Sequence, residues 1–445
     1  RYAAARQRSE RNRQMGPLAG ELEEFTARLD FSLDEFQQQS CEHLASGRDV
    51  LVAAPTGAGK TVVGEFAVHL GLSQGRKTFY TTPIKALSNQ KYAELAAVHG
   101  SDRVGLLTGD VSINSDAAVV VMTTEVLRNM IYASSTTLDE LGYVVMDEVH
   151  YLADAFRGPV WEEVILLLSH EVRLVSLSAT VSNAEEFGAW LSEVRGETAV
   201  VVSEIRPVPL WQHMMVRHEI LDLYTSHVDP TNPGANPPVN PDLLEAVRRA
   251  ERTTDSGGGR PARGRNGRER SRGHQGGGAR GGIRPPRRDV VVERLDAAGL
   301  LPAIVFIFSR AGCEAAVDQV LAAGTRLTTE AERREIATIL EPFSERIPAE
   351  DLHAVNYSAF ASAALRGVAS HHAGMLPVFK EAVEALFVRG LIKVVFATET
   401  LALGINMPAR SVVIERLIKW DGREHAAVTP GQYTQLTGRA GRRGI

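Results

Sequence analysis

A short glycine-rich loop constrains this chain more than any other feature. Residues 57–61 (GAGKT) follow the apolar run 49–53 (DVLVA) and precede a stretch with helical periodicity. Glycines let backbone N–H groups approach phosphates, and the start of the next helix adds a favourable dipole. In such a loop Lys60 would reach the β- and γ-phosphates, and Thr61 would ligate Mg²⁺. The loop therefore predicts a triphosphate-binding site.

The loop departs from the usual phosphate-loop pattern at one position. That pattern begins with glycine, whereas this chain has Ala54 there, so a chance glycine turn is the alternative. The strand-to-helix context favours the phosphate loop. We assign the phosphate-loop contacts to Thr56, Gly57, Ala58, Gly59, Lys60 and Thr61.

A pair of acidic residues ends a second buried apolar run, within residues 147–150 (DEVH). Asp147 is placed to bind Mg²⁺, directly or through water, and Glu148 to orient or deprotonate the attacking water. Two acids at the end of a strand also fit a simple polar cap. Together with the phosphate loop they indicate hydrolysis of the triphosphate.

Two arginines near the end of the sequence form a third candidate motif. Arg439 and Arg442 lie three residues apart within 438–442 (GRAGR), so they share a face at the start of a helix. An arginine that reaches across a cleft can stabilise transition-state charge. A solvated basic patch is the alternative, but the flanking glycines favour close approach to a ligand.

Apolar runs alternate with amphipathic stretches along two regions of the chain. We predict strands at 49–53, 77–81, 118–122, 143–146 and 173–177, then at 303–308, 393–396 and 411–415. A helix is predicted over 85–98. This alternation predicts an α/β fold in which each region forms a mainly parallel sheet flanked by helices.

Composition divides the chain further. Residues 1–24 are predicted as an N-terminal extension and 227–292 as a disordered Pro/Gly/Arg-rich insertion, because few apolar residues there could form a core. The insertion is either a solvated linker or a loose tether for nucleic acid. The lobes are then predicted at 25–226 and 293–445, the second ending after the arginine motif, as in a fragment of a longer protein.

Composition also excludes some classes of protein. The net charge of −5 gives no general signal for nucleic-acid binding, and no apolar run is long enough to cross a membrane. Cys41 and Cys313 are far apart, which favours a reducing, cytoplasmic setting over a disulfide framework. No Cys/His cluster with the spacing of a zinc site occurs.

The motifs in order resemble superfamily 2 helicases of the DExH type, specifically the Ski-type RNA helicases and their actinobacterial members. Five stretches carry the resemblance: 147–151 (DEVHY) with 157–163 (RGPVWEE), 177–180 (LSAT), 371–377 (HHAGMLP), 396–408 (FATETLALGINMP) and 435–444 (QLTGRAGRRG). It covers roughly residues 31–445 without the Arg/Gly insertion. It implies two tandem RecA-like lobes with ATP and Mg²⁺ between them.

The resemblance also implies roles for individual residues. Phe31 and Gln37 correspond to the family's adenine-reading ring and amide, although Phe31 also suits ordinary core packing. Ser178 and Thr180 would couple the ATP state to movement, Gly404 and Asn406 would approach the nucleotide, and Gln435 belongs to the catalytic arginine motif. The implied nucleic-acid contacts are Pro83, Lys85, Gly109, Thr124, Arg128, His372 and Thr398. For each of these, a helix cap or a solvated side chain is the alternative.

A hairpin is predicted between the last two motifs. Asp421-Gly422 lies between apolar runs, a pattern typical of a tight hairpin, so residues 416–429 are expected to form one. A hairpin here parts the duplex in related helicases, with Trp420 available to stack on a base. A plain surface hairpin is the alternative.

These expectations combine into one functional prediction. The chain would hydrolyse ATP and couple this to 3′-to-5′ movement along single-stranded RNA, with unwinding; an RNA-decay exonuclease is a possible partner and no membrane is involved. A DNA repair helicase and an ATP-gated RNA clamp are the alternatives. Related proteins continue into a winged-helix domain and a helical bundle after the arginine motif, so this chain is expected to unwind poorly.

Overall fold

The computed structural model describes most of the chain. The described residues are 18–153, 157–179, 184–206, 208–229, 234, 236–255, 285–402, 407–420 and 424–441. They divide into two compact units. The first consists of the described residues within Arg1–Pro207, Glu399–Pro408 and Arg416–Ile445, and the second of those within Val208–Thr398 and Ala409–Glu415.

An eight-stranded sheet forms the centre of the first unit, as far as the described residues show. Its strands are β1 (Asp49–Ala53), β2 (Lys77–Thr82), β3 (Val104–Leu107), β4 (Ser112–Ile113), β5 (Val119–Thr123), β6 (Leu141–Met146), β7 (Arg173–Ser178) and β8 (Thr198–Val202). Their order is β4-β3-β5-β2-β6-β7-β1-β8, and every pairing is parallel except that of β3 with β4. The five predicted strands of this region are confirmed.

Helices cover both faces of this sheet. They are α1 (Ala19–Ala27), α2 (Glu35–Ala45), α3 (Thr61–Ser73), α4 (Lys85–His99), α5 (Thr124–Tyr132), α6 (Gly158–Leu167) and α7 (Ala184–Arg195). Successive residues of β1 pack into opposite cores: Val50 and Val52 belong to one apolar cluster and Leu51 to the other. Strands buried on both faces have continuous apolar sequences, which is why these runs could be recognised.

A buried arginine, Arg195, joins the C-terminal end of α7 to the amino-terminal end of β1. Arg195 donates to the Asp49 carboxylate at 2.9 Å and to the carbonyls of Leu168 at 2.9 Å and Val172 at 2.8 Å. Its side chain is only 1% exposed. Because its charge and donors are all satisfied, this contact fixes the amino ends of the strands, away from the motifs.

A four-stranded parallel sheet forms the centre of the second unit. Its strands are β11 (Ala303–Phe306), β12 (Val368–His371), β13 (Val394–Ala397) and β14 (Ser411–Ile414), in the order β12-β13-β11-β14. Around it lie α9 (Arg288–Ala297), α10 (Arg310–Ala322), α11 (Glu330–Ser344), α12 (Tyr357–Leu365) and α13 (Pro377–Val388). The predicted strands at 303–308, 393–396 and 411–415 are confirmed, and β12 is additional.

The prediction of a disordered insertion over 227–292 is wrong for part of its length. Helix α8 spans Pro241–Asp255 and packs beside an antiparallel pair, β9 (His213–Val216) and β10 (Glu219–Asp222). Leu243, Ala246 and Ala250 of this helix are buried with Val216. Leu221, Leu223 and Val247 pack against this small core, which composition alone did not reveal because the helix has so few apolar residues. Residues 256–284, the Arg/Gly stretch, lie outside the described residues.

The final described segments complete the first unit. A 3₁₀ turn spans Glu399–Ala402, and β15 (Ile418–Trp420) pairs antiparallel with β16 (His425–Ala427). The predicted hairpin is therefore confirmed in its strands, while its turn, 421–423, lies outside the described residues. Helix α14 (Pro430–Thr437) follows, with the Thr429 hydroxyl capping its first turn.

Candidate nucleotide and nucleic-acid site

The glycine-rich loop connects β1 to α3, as predicted. Gly57 and Gly59 have backbone φ angles of +84° and +88°, which residues other than glycine rarely adopt. Lys60 is buried, and its ammonium donates to the carbonyls of Ala54 at 2.8 Å and Pro55 at 3.2 Å. The lysine thus lies along the loop whose N–H groups would face phosphates. Ala54 is fully buried at the end of β1, and this loop forms without the usual first glycine.

Gln37 connects the helix before β1 to this loop. Its Nε2 donates to the Gly59 carbonyl at 2.9 Å, and its Oε1 accepts from the Asp34 N–H at 2.8 Å. A Cβ added to Gly59 would lie 2.7 Å from Gln37 Nε2, and the φ of +88° would strain any other residue there. Phe31, the proposed partner in adenine reading, is 44% exposed. The core-packing alternative for Phe31 therefore loses support.

Asp147 follows β6 and is held by two hydrogen bonds. Its Oδ1 accepts from the Glu148 N–H at 2.9 Å, and its Oδ2 accepts from the Tyr80 hydroxyl at 3.1 Å. Burial, and then the neighbouring Glu148 carboxylate, raise the pKa of Asp147 to about 6. A buried carboxylate with a raised pKa gains from a nearby cation. With the Thr61 hydroxyl at the first residue of α3, this donor set fits Mg²⁺.

Glu148 adopts a strained backbone conformation beside Asp147. Its φ is +54°, in the left-handed region that costs a residue other than glycine about 1–2 kcal/mol. Such strain is typically retained where a side chain must point in a particular direction. Here it places the Glu148 carboxylate 3.3 Å from Nδ1 of His150. A carboxylate in that position can accept a proton from water.

His150 lies between Glu148 and Gln435. Its Nε2 is 2.6 Å from Gln435 Nε2, and burial lowers the pKa of the imidazole, which is therefore neutral at pH 7. Because an amide NH₂ can only donate, the imidazole Nε2 accepts and Nδ1 carries the proton, facing Glu148. Two predicted motifs, 147–150 and 435–444, therefore meet within the first unit.

The remaining predicted ATP-site residues are described in part. The Ser178 carbonyl, at the end of β7, accepts from the Ala54 N–H at 3.1 Å. Arg439 is buried, and Gly438 packs so closely on Thr56 that an added Cβ would lie 2.9 Å from the Thr56 Cβ. Thr180, Gly404, Asn406 and Arg442 lie outside the described residues.

First-unit candidates for nucleic-acid contact follow β2 and β5. Lys85 begins α4 and is half exposed; its ammonium lies 2.9 Å from the Asp110 carboxylate, and Gly109 is adjacent. Thr124 begins α5 and is buried, with its hydroxyl 3.5 Å from the Thr82 carbonyl. Pro83 is buried, and Arg128 lies 3.6 Å from Glu163. The fold brings Lys85 and Gly109 together.

The second-unit candidates for nucleic-acid contact, His372 and Thr398, are both buried. The His372 ring is buried; its Nδ1 accepts from the Gly374 N–H at 3.1 Å, and its Nε2 lies 2.6 Å from the Glu314 carboxylate. With both nitrogens engaged, the side chain shapes the loop after β12, and its contact with nucleic acid stays a prediction. Thr398, after β13, is also mostly buried.

Trp420 ends β15 and projects outward. The side chain is 57% exposed and meets the His425 ring edge-on, with centroids 5.3 Å apart. Leu417 and Ile418 beside it are also more than half exposed. An exposed indole on a hairpin is available to stack on a base, as predicted.

Comparisons with known proteins agree with this geometry. Residues 34–187 match the DEAD/DEAH box helicase family, and residues 332–444 match the helicase conserved C-terminal domain. The chain is 58% identical over 428 residues to the probable helicase HelY of Mycobacterium tuberculosis. The aligned region covers 96% of this chain and 46% of HelY. The chain belongs to the Ski2-type helicases of superfamily 2. Its fold is accordingly two tandem RecA-like lobes.

More distant members of the Ski2-type family extend the comparison. The antiviral helicase SKI2 of Saccharomyces cerevisiae is 39% identical over 446 residues, covering 93% of this chain and 34% of that protein. The ATP-dependent RNA helicase mtr4 of Schizosaccharomyces pombe is 39% identical over 418 residues. The aligned region covers 93% of this chain and 36% of mtr4. This chain therefore spans about half the length of HelY and about a third of SKI2 and mtr4.

Some residues of this Ski2-type site were missed by sequence reasoning. Tyr80, Asp110 and His150 contact Asp147, Lys85 and Glu148 respectively. His150 was recognisable as the last letter of DEVH, and Asp110 as the neighbour of Gly109. Tyr80 is one aromatic residue among several in buried strands, and nothing in the sequence marks it.

Other predictions concern the chain's surroundings. Cys41 and Cys313 are both free and buried, and burial raises the pKa of both thiols, that of Cys313 to about 12. In the part of the chain that is described, none of the helices combines the length and apolarity needed to cross a bilayer.

Proposed function

We propose that this chain hydrolyses ATP and couples hydrolysis to 3′-to-5′ movement along single-stranded RNA, with unwinding of duplexes. The observation that carries the proposal is the row of contacts from Asp147 through Glu148 and His150 to Gln435, in the same unit as the loop that holds Lys60. An ATP-gated clamp would need only the phosphate loop and a metal ligand. A strained carboxylate held beside a neutral histidine suits proton transfer.

The residues divide the chemistry between them. Backbone N–H groups of the loop and the Lys60 ammonium would bind the phosphates, and Asp147 and Thr61 would hold Mg²⁺, which would neutralise phosphate charge. Glu148 accepts a proton from the attacking water. Neutral His150 lies beside this base, with its Nδ1 3.3 Å from the Glu148 carboxylate. Gln435 fixes the imidazole tautomer by donating to Nε2.

The proposed nucleic-acid contacts suit a backbone grip that does not read sequence. Exposed Lys85 beside Gly109 offers charge and open backbone to a phosphate, and the exposed Trp420 offers a stacking surface. The choice of RNA rests on resemblance and on two relatives, DExH15 of Arabidopsis thaliana and mtr4, both named as ATP-dependent RNA helicases. Direction of movement rests on resemblance alone.

The decisive experiment is steady-state ATPase without nucleic acid, with single-stranded RNA and with single-stranded DNA. We expect preferential stimulation by RNA, and a loss of about 10²-fold or more in Glu148→Gln, since a positioned general base contributes about that much. Stimulation by DNA alone would favour the DNA repair helicase. Nucleotide-dependent RNA binding without turnover would instead establish the clamp.

Direction and partners require separate measurements. Duplexes with a 3′ or a 5′ single-stranded tail should be unwound only from the 3′ tail, and equal unwinding of both would contradict the proposed polarity. One relative is named Superkiller complex protein 2, which indicates an assembly. We propose an RNA-decay exonuclease as partner in the cytoplasm, testable by co-purification of the tagged full-length protein with and without RNase.

A further inference from the structure

A buried polar group lies behind the metal-binding carboxylate. Tyr80 lies on β2 and is completely buried, yet its hydroxyl reaches the Asp147 Oδ2 at 3.1 Å. Against its ring lies the ammonium of Lys91, 5.5 Å from the centroid. Lys91, on α4, is itself buried, with its Nζ 2.5 Å from Glu94 and 4.0 Å from Glu65. We call Tyr80 and Lys91, with these two carboxylates, the Tyr80 cluster.

The hydroxyl of Tyr80 has a specific effect on Asp147. A carboxylate at the end of a strand can rotate about its last bond, and one hydrogen bond, from the Glu148 N–H, leaves that rotation free. The second bond, from Tyr80, fixes the carboxylate plane. Tyr80 lies on the neighbouring strand and packs by its whole ring, so its hydroxyl has little freedom of its own.

Lys91 supports the tyrosine from α4. A cation over an aromatic face is attracted to the ring, so Lys91 helps to hold the Tyr80 ring in place. Burial lowers the pKa of Lys91, but Glu94 and Glu65 more than offset this, so the ammonium stays charged. The same helix begins at Lys85, one of the proposed nucleic-acid contacts, and Glu65 belongs to α3, which begins at Thr61. The cluster therefore joins both site helices to Asp147.

We propose that Tyr80 is a positioning residue for the metal-binding carboxylate of Asp147, and that Lys91 acts on the carboxylate through Tyr80. This inference rests on the proposed function, because it takes Asp147 as the ligand of the nucleotide's Mg²⁺. Neither side chain touches the reacting atoms. Removing the hydroxyl should weaken Mg²⁺-dependent nucleotide binding and leave metal-free binding alone.

The test is a Mg²⁺ titration of nucleotide binding, followed with a fluorescent ADP analogue on the 445-residue chain. Tyr80→Phe removes one oxygen and should raise the Mg²⁺ concentration at half-maximal binding by about 10-fold or more, the usual worth of one hydrogen bond to a charged group. Tyr143→Phe is the matched control. Tyr143 is also buried in the sheet, but its hydroxyl bonds to Gln74 at 2.9 Å. Its Mg²⁺ midpoint should equal that of the unsubstituted chain.

Binding in EDTA separates positioning from folding. Tyr80→Phe should bind the analogue normally there; if metal-free binding falls equally, the role is structural and the proposal is wrong. Equal Mg²⁺ midpoints for Tyr80→Phe and Tyr143→Phe would overturn it too. Failure of the proposed function would appear differently, as absence of nucleic-acid stimulation in the unsubstituted chain, because this assay contains no nucleic acid.

A double-mutant cycle tests the part played by Lys91. Lys91→Met should shift the Mg²⁺ midpoint in the same direction by a smaller factor, about 2- to 5-fold. Combined with Tyr80→Phe it should add less than it does alone, because the part of its effect that is transmitted by the Tyr80 ring and hydroxyl is already lost. Multiplicative effects in the double variant would show that Lys91 acts independently of Tyr80, and would remove it from the proposal.

Discussion

Gln435 and His150 are joined side chain to side chain, with their Nε2 atoms 2.6 Å apart. This contact connects the helix of the arginine motif to the carboxylate proposed as the general base. Residues that act as one unit lose function together, so their effects do not add. The contact therefore makes a quantitative prediction about two residues that are 285 positions apart in the sequence.

We expect His150→Ala and Gln435→Ala each to lower the ATPase kcat about 5- to 20-fold, the loss typical of an oriented hydrogen bond at an active site. The double variant should lose no more than the worse single variant, which steady-state kinetics will show. Gln39→Ala, at an exposed helical position, is the control and should retain full activity. Multiplicative losses would show that the contact plays no part in turnover.

The raised pKa of Asp147 predicts a pH-dependent cost in stability. In the folded chain this pKa is about 6, above its ordinary value, so the folded state holds the proton more tightly than the unfolded state. The ionised carboxylate therefore destabilises the fold, and this cost appears as the pH rises from about 4 to about 6. Without Mg²⁺ and nucleotide, Asp147→Asn should stabilise the chain by about 2 kcal/mol at pH 7.5.

Urea unfolding at several pH values checks the sign. The stabilisation by Asp147→Asn should shrink below pH 6 and vanish below about pH 4, where the Asp147 carboxyl is protonated in both the folded and the unfolded state. Asp110→Asn is the matched control: the hydrogen bond from Lys85 lowers the pKa of Asp110, so this substitution should not stabilise the chain at pH 7.5. If Asp147→Asn raised the free energy of unfolding equally at every pH, the raised pKa of Asp147 would not be the cause of the stabilisation.

The left-handed backbone of Glu148 predicts a second conflict between stability and activity. Glycine adopts φ near +54° without strain, so Glu148→Gly should stabilise the chain by about 1 kcal/mol while it abolishes ATPase activity. Chemical denaturation and kinetics on the same samples will show both effects. Glu162→Gly, at an exposed position inside α6, should instead destabilise by about 1 kcal/mol. If both glycine variants are destabilised, the left-handed backbone of Glu148 does not cost the chain stability.

Local patterns were sufficient to predict much of this fold and part of its site. The strands could be read because they are buried on both faces, and the phosphate loop and acidic pair because their chemistry depends on neighbours in sequence. The features that could not be predicted are contacts between residues that lie far apart in the sequence. Tyr80 reaches Asp147 from the adjacent strand β2, and Glu314 of α10 contacts His372 in the loop after β12. Helix α8 was missed because its buried face is so small.

The exposed Trp420 predicts a separation of unwinding from ATP hydrolysis. Its indole is 57% exposed and touches His425 only by an edge, so Trp420→Ala should leave stability unchanged. If the hairpin parts a duplex, losing a stacking surface worth about 1–3 kcal/mol should slow unwinding at least fivefold and spare RNA-stimulated ATPase. Trp211→Ala, which removes a 67% exposed indole from the second unit, is the control. Equal unwinding by the two variants, measured on a 3′-tailed duplex, would show that residues 416–429 form an ordinary surface hairpin.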